Sequence, residues 1–212
     1  VGVLPWLEDV WLDSEDALSI GRWRPSQDGI VDRLSVAVVR FPRTSNATDV
    51  DALAAEPGVD VRVTTDADVC READLLVLPG SRATVSDLAW LREQGLADVV
   101  LERAAAGRPV LGICGGYEML AATIYDSVES GAGVVPGLGL LPATVTFARE
   151  KVLGRPTDAW RGHRVEGYEI HHGQTAQHPA MAAKGDIALE AMPGLAWQNA
   201  AGNVLGCYLH GL

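Results

Sequence analysis

Cys114 has the local sequence of a catalytic nucleophile. It follows an apolar run at 109–113, which predicts a buried strand, and it precedes Gly115, Gly116 and a helix-like segment. A side chain on such a strand-to-helix turn projects from a strained backbone, and the glycines let neighbouring chain approach closely. The start of the next helix favours a thiolate, and the N–H of Gly115 can stabilise an oxyanion. We predict a nucleophile elbow at Cys114; the alternative is a buried structural cysteine.

The two other cysteines have no such setting. Cys70 lies in an acidic, helix-like stretch, and Cys207 lies inside a strand pattern, so both are predicted to be structural. Three cysteines without a CxxC pair are neither a disulfide framework nor a zinc ribbon, and we predict no metal site. Sparse, unpaired cysteines favour a reducing compartment, so the expected location is the cytoplasm.

A second donor to the oxyanion is expected near Gly80. The apolar run 75–78 predicts a strand that ends at Pro79-Gly80. Neighbouring strands of a parallel sheet end at one edge, where ligands bind, so the N–H of Gly80 or Ser81 is the candidate. An ordinary strand-ending turn is the alternative.

A cysteine nucleophile usually needs a histidine that takes and returns protons. His163 and His178 lie in polar or Pro-flanked segments and are predicted to be solvated. His171 and His210 each follow a strand pattern and precede a glycine turn. The residues alone do not choose between these two.

The order of the strands and helices that must position these groups predicts an α/β domain with a mostly parallel sheet and helices on both faces. Buried strands are predicted at 34–39, 59–63, 75–78 and 109–113, and helices at 48–53, 86–94, 96–106 and 117–122. Short strands at 144–147, 165–170, 195–199 and 204–209 predict an added antiparallel portion in the second half. Residues 34–212 form the predicted domain, and 1–33 a connector with a short helix at 14–21.

Composition excludes several function classes. The chain has 212 residues and a formal net charge of −11, which argues against a nucleic-acid or anionic-membrane surface. No apolar stretch approaches the roughly 20 residues of a membrane span. No basic segment followed by an apolar run precedes the domain, so no signal peptide is predicted.

Residues 112–120 resemble the nucleophile motif of class I glutamine amidotransferases. More narrowly, the chain resembles the C-terminal amidotransferase domain of the cobyric acid synthase family. The pieces that carry this resemblance are residues 3–7, 43–46, 48–53, 78–81, 112–120, 167–173 and 206–211. They occur in the family's order over nearly the whole chain.

The resemblance implies a flavodoxin-like class I amidotransferase fold and assigns several roles. Cys114 would be the nucleophile and His210 the catalytic histidine. Segment 167–173, with Tyr168 and His171, would lie near the glutamine pocket. Gly80, Ser81 and Gly115 would surround the oxyanion.

Two positions depart from the wider class I pattern. Many members carry a glutamate two residues after the catalytic histidine, and Leu212 stands there in this chain. A Cys–His dyad is therefore expected, or an orienting group that the sequence does not identify. Glu118 stands where a substrate-contacting glutamine is common, so it is a candidate substrate-binding residue that alters the contacts with glutamine; the alternative is neutral variation.

The implied reaction is glutamine hydrolysis, which supplies ammonia for amidation of the side chains of adenosylcobyrinic acid diamide, a corrinoid. ATP and Mg²⁺ would bind a separate synthetase domain, since this chain has no GxxxxGK[ST] phosphate loop. Residues 1–33 would be the tail of that domain plus a linker. The alternatives are an amidotransferase subunit of a cell-wall precursor ligase, a non-catalytic module, and a cysteine hydrolase acting on peptides or small aldehydes.

Overall fold

The computed structural model describes residues 33–211, so the predicted helix at 14–21, most of the connector and Leu212 lie outside the described residues. The strands are β1 Leu34–Val39, β2 Thr44–Ser45, β3 Val59–Thr64, β4 Leu75–Leu78, β5 Gly80–Ser81, β6 Val110–Ile113, β7 Ala121–Asp126, β8 Gly133–Pro136, β9 Leu141–Gly154, β10 Thr157–Trp160, β11 His163–Glu166, β12 Glu169–Gln177, β13 Leu189–Met192, β14 Ala196–Gln198 and β15 Val204–Cys207. The helices are α1 Asp51–Ala55, α2 Ala67–Glu72, α3 Thr84–Glu93, α4 Leu96–Ala105, α5 Gly115–Leu120 and α6 Pro179–Ala182, and a 3-10 turn, Ala47–Val50, precedes α1.

A seven-stranded sheet forms the centre of the fold, in the order β13-β14-β15-β6-β4-β1-β3. The pairs β3/β1, β1/β4, β4/β6 and β6/β15 are parallel, and β14 and β13 extend the sheet antiparallel. Ile113 of β6 is in register with Cys207 of β15. The segments that follow β6 and β15, with Cys114 and His210, therefore leave the sheet side by side.

The side chains of β1 point alternately to the two faces of the central sheet, and each face is covered by its own core cluster. Ala37 and Val39 face the larger core cluster, which the helices α2 to α5 complete. Val36 and Val38 face a second cluster that includes Val50 beside α1. Every second side chain of a strand points to the same face, so this apolar run requires cover on both faces. The predicted α/β class, with helices on both faces, is confirmed.

A second, four-stranded sheet holds the antiparallel portion, in the order β12-β9-β7-β8. Two predicted elements are corrected here. The helix predicted at 117–122 ends at Leu120, because Ala121 turns to an extended conformation and starts β7. The single strand predicted at 165–170 is divided between β11 and β12, because the chain between them crosses His210 and pairs with it.

Arg103 connects α4 to the chain segments that lead into β4 and β6. It is 1% exposed, and its guanidinium donates to the carbonyl oxygens of Arg71, Ala73 and Pro109 at 2.7–3.1 Å. Burial lowers its pKa, and the carbonyl acceptors offset much of the desolvation of the charge. In residues 33–211 no helix is long and apolar enough to cross a membrane.

Candidate active site

Cys114 occupies a strained turn between β6 and α5. Its backbone has φ 49° and ψ −112°, in a region that L-residues rarely adopt. Its N–H donates to Cys207 O at 2.8 Å, and its carbonyl accepts from Glu118 N at 2.9 Å. Both ends of the turn are thus fixed by the sheet and by the first turn of the helix. The predicted elbow geometry is present.

Glycines make this turn possible because other backbone passes within contact distance. A Cβ atom on Gly116 would overlap the carbonyl oxygen of Leu78, at the end of β4. A Cβ on Gly112 would lie 2.7 Å from Gly116 O. The turn is therefore packed directly on the neighbouring strand end and on its own strand.

The thiol of Cys114 is held neutral by its surroundings. The residue is 8% exposed, and burial raises its pKa well above the usual value. The nearby carboxylate of Glu118 raises the pKa further, and the N–H of Gly115 opposes this. A base is therefore needed to produce the thiolate.

His210 is supported by an acid that the sequence did not identify. Its ring is 1% exposed, and Nδ1 donates to Asp49 Oδ2 at 2.7 Å. The other oxygen of Asp49 accepts from the N–H of Gly211 at 3.0 Å. This contact fixes the tautomer with the proton on Nδ1 and leaves Nε2 unprotonated. Of the two alternatives, a bare Cys–His dyad or an unidentified orienting group, the structure favours the second, because Asp49 supplies a carboxylate from a segment 161 residues away in sequence.

Asp49 lies in the 3-10 turn that follows β1 and β2. The sequence marked residues 48–53 only as an acidic helix start. The available signal was its place after a parallel strand, since such segments meet at the ligand-binding edge of the sheet. Nothing in the spacing indicated that this acid, among several, would point at His210.

Tyr168 and His171 have different surroundings. The ring of Tyr168 stacks on His210 with centroids 5.2 Å apart, and the two residues exchange backbone hydrogen bonds of 2.8 and 3.0 Å. Its hydroxyl accepts from Asn46 Nδ2 at 2.7 Å. The structure places Tyr168 against the imidazole of His210, whose position it supports.

His171 lies within β12 rather than at a strand end. Its ring stacks on Tyr208 at 3.6 Å, and its nitrogens contact Gly173 O at 2.7 Å and Glu169 Oε2 at 3.2 Å. Burial lowers its pKa, although the contact with Glu169 raises it. Both nitrogens of His171 are therefore engaged by other residues of β12.

The predicted oxyanion loop lies beside the nucleophile. A Cβ on Gly115 would lie 2.9 Å from Ser81 N, so the two backbones are in contact. The Ser81 hydroxyl donates to Asp87 Oδ2 at 2.6 Å and accepts from Ala83 N at 3.0 Å. Its side chain fixes the loop, and its backbone N–H is the group available beside Gly115. Gly80 packs against Ser45, and a Cβ there would lie 3.6 Å from the His210 ring.

A cavity of about 430 Å³ contains Cys114 and His210 in its lining, together with Glu118 and His171. Glu118 is 3% exposed, and its Oε2 accepts from Thr84 Oγ1 at 2.8 Å. Burial raises its pKa to about 8, and the neighbouring Glu129 adds to the shift.

Glu129 and Lys151, which the sequence did not indicate as site residues, also line the cavity. Both come from segments without a recognisable motif, and only the second sheet brings them beside the elbow.

Comparison with known proteins gives a family. Residues 35–212 match the model of the CobB/CobQ-like glutamine amidotransferase domain. The chain belongs to this family. A cobyric acid synthase from Cutibacterium acnes is 62% identical over 176 residues, which cover 81% of this chain and 36% of that protein. One from Saccharopolyspora erythraea is 49% identical over 100% of this chain and 41% of its own length.

The chain thus spans about four-tenths of the length of these curated relatives. Solved structures agree on the fold. A glutamine amidotransferase crystal structure has a TM-score of 0.61 at 17% identity, covering 82% of this chain and 89% of its own. The PurLQS structure from Thermotoga maritima has a TM-score of 0.58 at 15% identity, covering 84% and 87%.

Proposed function

We propose that this chain hydrolyses glutamine to glutamate and ammonia as the amidotransferase part of a cobyric acid synthase. The observation that carries the proposal is the joint placement of the strained Cys114 and the Asp49-supported His210 in one cavity. A non-catalytic module would have no need of the strain at Cys114 or of a buried acid–imidazole pair.

In the first half of the reaction, His210 Nε2 takes the thiol proton while the sulfur attacks the side-chain amide carbon of glutamine. The amide oxygen becomes an oxyanion, which the N–H groups of Gly115 and Ser81 stabilise. Collapse of this intermediate breaks the C–N bond, and His210 gives its proton to the leaving ammonia. Asp49 stabilises the imidazolium that exists between these two transfers.

In the second half, water hydrolyses the thioester on Cys114. His210 removes a proton from the water, and the tetrahedral intermediate collapses with cleavage of the C–S bond. The proton returns to the sulfur, so the net change is one glutamine and one water to one glutamate and one ammonia.

The ammonia would be used by a synthetase portion of the protein, and that portion would bind ATP, Mg²⁺ and a corrinoid carboxylate substrate. The support is that the relatives of more than twice this length are named cobyric acid synthases and that this chain has no phosphate loop. A cytoplasmic location is part of the proposal, supported by three free cysteines.

A glutamine-analogue chloroketone tests the nucleophile. The chloroketone should alkylate Cys114 in the wild type, as located by peptide mass spectrometry, and Cys114→Ser should remove the label. Cys70→Ser is the matched control, since that buried thiol lies outside the cavity and should leave labelling unchanged. A label distributed over the other cysteines, with none on Cys114, would refute the proposal.

Coupling to a synthetase portion is tested by glutamate release. We expect the isolated chain to be a weak glutaminase and the full-length relative, supplied with ATP and a corrinoid acceptor, to be faster. Strong turnover that is identical in the two proteins would contradict the coupling while leaving the glutaminase assignment intact.

A further inference from the structure

Two carboxylates face the cavity that contains the nucleophile, and no described residue forms an ion pair with either. Glu118 accepts from the hydroxyl of Thr84 at 2.8 Å, and Glu129 Oε1 accepts from the N–H of Thr84 at 2.7 Å. These partners are neutral. Among residues 33–211, no lysine, arginine or histidine nitrogen lies within 4.0 Å of either carboxylate.

Thr84 places this pair directly beside the nucleophile. Its Oγ1 would lie 3.1 Å from a Cβ on Gly115, the residue that follows Cys114. The backbone N–H of Thr84 therefore holds the carboxyl group of Glu129, and its hydroxyl holds that of Glu118, beside the start of α5. The charges of both carboxylates act on the thiol of Cys114, which they disfavour as a thiolate.

The loop that carries Glu129 is built around a buried acid. Asp126 is 0% exposed, and its carboxylate accepts from the N–H groups of Val128, Glu129 and Ser130 at 2.8–3.0 Å. Burial raises its pKa, but the hydrogen bonds from Ser130 and its neighbours outweigh this and hold the pKa low. The ionised Asp126 thus fixes the loop in the shape that turns Glu129 toward Thr84.

Burial and the neighbouring charge of Glu129, which is itself exposed, disfavour ionisation of Glu118, and both negative charges disfavour the thiolate of Cys114. A bound cation removes both penalties. Glutamine carries an ammonium group on the carbon at the opposite end of its side chain from the amide. The α-carboxylate is bonded to the same carbon, and the ammonium of Lys151, which also lines the cavity and whose charge acts on Glu129, has the complementary charge.

We propose that Glu129, backed by Glu118, is the subsite for the α-ammonium group of the glutamine substrate, and that Lys151 binds the α-carboxylate. The proposal rests on the glutaminase function above. It makes Glu129 a specificity-determining residue, which selects free α-amino acids over amides that lack the amino group. Asp126 is the positioning residue for this subsite.

The test compares two alkylating agents that differ only in the amino group. L-2-Amino-4-oxo-5-chloropentanoate carries both α-substituents, and 5-chloro-4-oxopentanoate lacks the ammonium. The second-order rate of Cys114 alkylation is measured by intact and peptide mass spectrometry, which requires no turnover. The wild type should prefer the amino compound by about 10- to 100-fold, the range expected for one charge-assisted contact.

Glu129→Gln should slow the amino compound by that factor and leave the rate of the other compound unchanged. Lys151→Met should slow both compounds alike, since both keep the carboxylate. Glu93→Gln, on the exposed end of α3, is the charge-matched control and should change neither rate. Melting temperatures of the variants show whether the fold is retained.

A merely structural role for Glu129 predicts that Glu129→Gln slows both compounds equally, and that result would overturn the subsite. A wild type that does not distinguish the two compounds would overturn it as well. Absence of any alkylation at Cys114 by either compound would instead refute the glutaminase proposal. The two failures are therefore distinguishable in one set of measurements.

Discussion

The buried pair Asp49–His210 is the contact on which the chemistry depends most. Both residues are nearly inaccessible, and their 2.7 Å hydrogen bond takes one imidazole nitrogen out of use as a base. Tyr168 covers the ring from one side, so its orientation is fixed by three different segments of chain. An imidazole held in this way needs no reorientation when it takes a proton from Cys114.

Asp49→Asn should reduce kcat for glutamine hydrolysis by roughly 10²- to 10⁴-fold with little change in KM, because the amide does not stabilise the imidazolium or fix its tautomer. Steady-state glutamate release gives both constants. Asp186→Asn, at an exposed acid outside the cavity, should behave as wild type. A kcat within twofold of wild type would show that Asp49 is not the orienting acid.

Glu118→Gln should lower the pKa of Cys114, because it removes a negative charge that disfavours the thiolate. The pKa of Glu118 is raised to about 8, so the difference should be largest above pH 8, where the wild-type side chain is ionised. The pH dependence of alkylation by iodoacetamide reports the thiol. An unchanged or higher pKa in the variant would contradict this account of the cavity.

At the scale of secondary-structure elements, the most important contact is the close approach of β4 to α5. The first turn of α5 passes over the end of β4 at Gly116, and the same turn carries the nucleophile. A Cβ on Gly112 of β6 would lie 2.7 Å from Gly116 O, and a Cβ on Gly115 would lie 2.9 Å from Ser81 N. The turn is therefore also in close contact with β6 and with the Ser81 loop. Catalytic geometry and core packing therefore depend on the same contacts.

Gly116→Ala should destabilise the fold by about 2–4 kcal/mol and remove activity, because its Cβ meets the backbone oxygens of Leu78 and Pro79, which cannot rotate away. Gly131→Ala is the control. That residue has φ 71° and open space around it, so only strain of roughly 1 kcal/mol is expected. Chemical denaturation measures both. Equal losses in the two variants would refute the contact argument.

At the scale of the whole molecule, the site draws on both sheets. The central sheet supplies Cys114, His210 and the loop with Ser81 at the carboxyl ends of its parallel strands. The second sheet and its loops supply Glu129 and Lys151, whereas Glu118 comes from α5 and Arg82 from the segment after β5. The cavity is thus lined by residues from both layers of the fold.

The buried acids make global stability depend on pH. Glu118 has a folded-state pKa of about 8 and an ordinary value of 4.5, so between these values the folded state holds a proton that the unfolded state has released. Stability from this group is full below pH 4.5 and falls as pH rises toward 8, by up to about 1.4 kcal/mol per pH unit.

Glu118→Gln should therefore unfold at a higher temperature than wild type at pH 9, and the difference should shrink toward pH 5. Calorimetry at three pH values checks this. Glu93→Gln, at an exposed position, should follow the wild type throughout. A constant difference between Glu118→Gln and wild type at all three pH values would mean that Glu118 does not ionise in the folded protein within this range.

The sequence by itself determined the parallel core and the elbow. Buried β-branched runs such as 34–39 are legible because strand periodicity and burial act locally, and the Gly-Ile-Cys-Gly-Gly turn is legible because its backbone tolerates few other residues. Family resemblance chose His210 over His171, a choice that spacing left open.

Only the tertiary structure decided which acid supports His210 and which charges line the cavity. Asp49, Glu129 and Lys151 lie 161, 81 and 59 residues before His210 (210 − 49, 210 − 129 and 210 − 151); the sequence characterised Asp49 only as part of a helix start and predicted no element at the other two. Charged side chains are common, and nothing local marks the few that point inward. Their roles arise where strand ends from distant parts of the chain converge on one edge of the sheet.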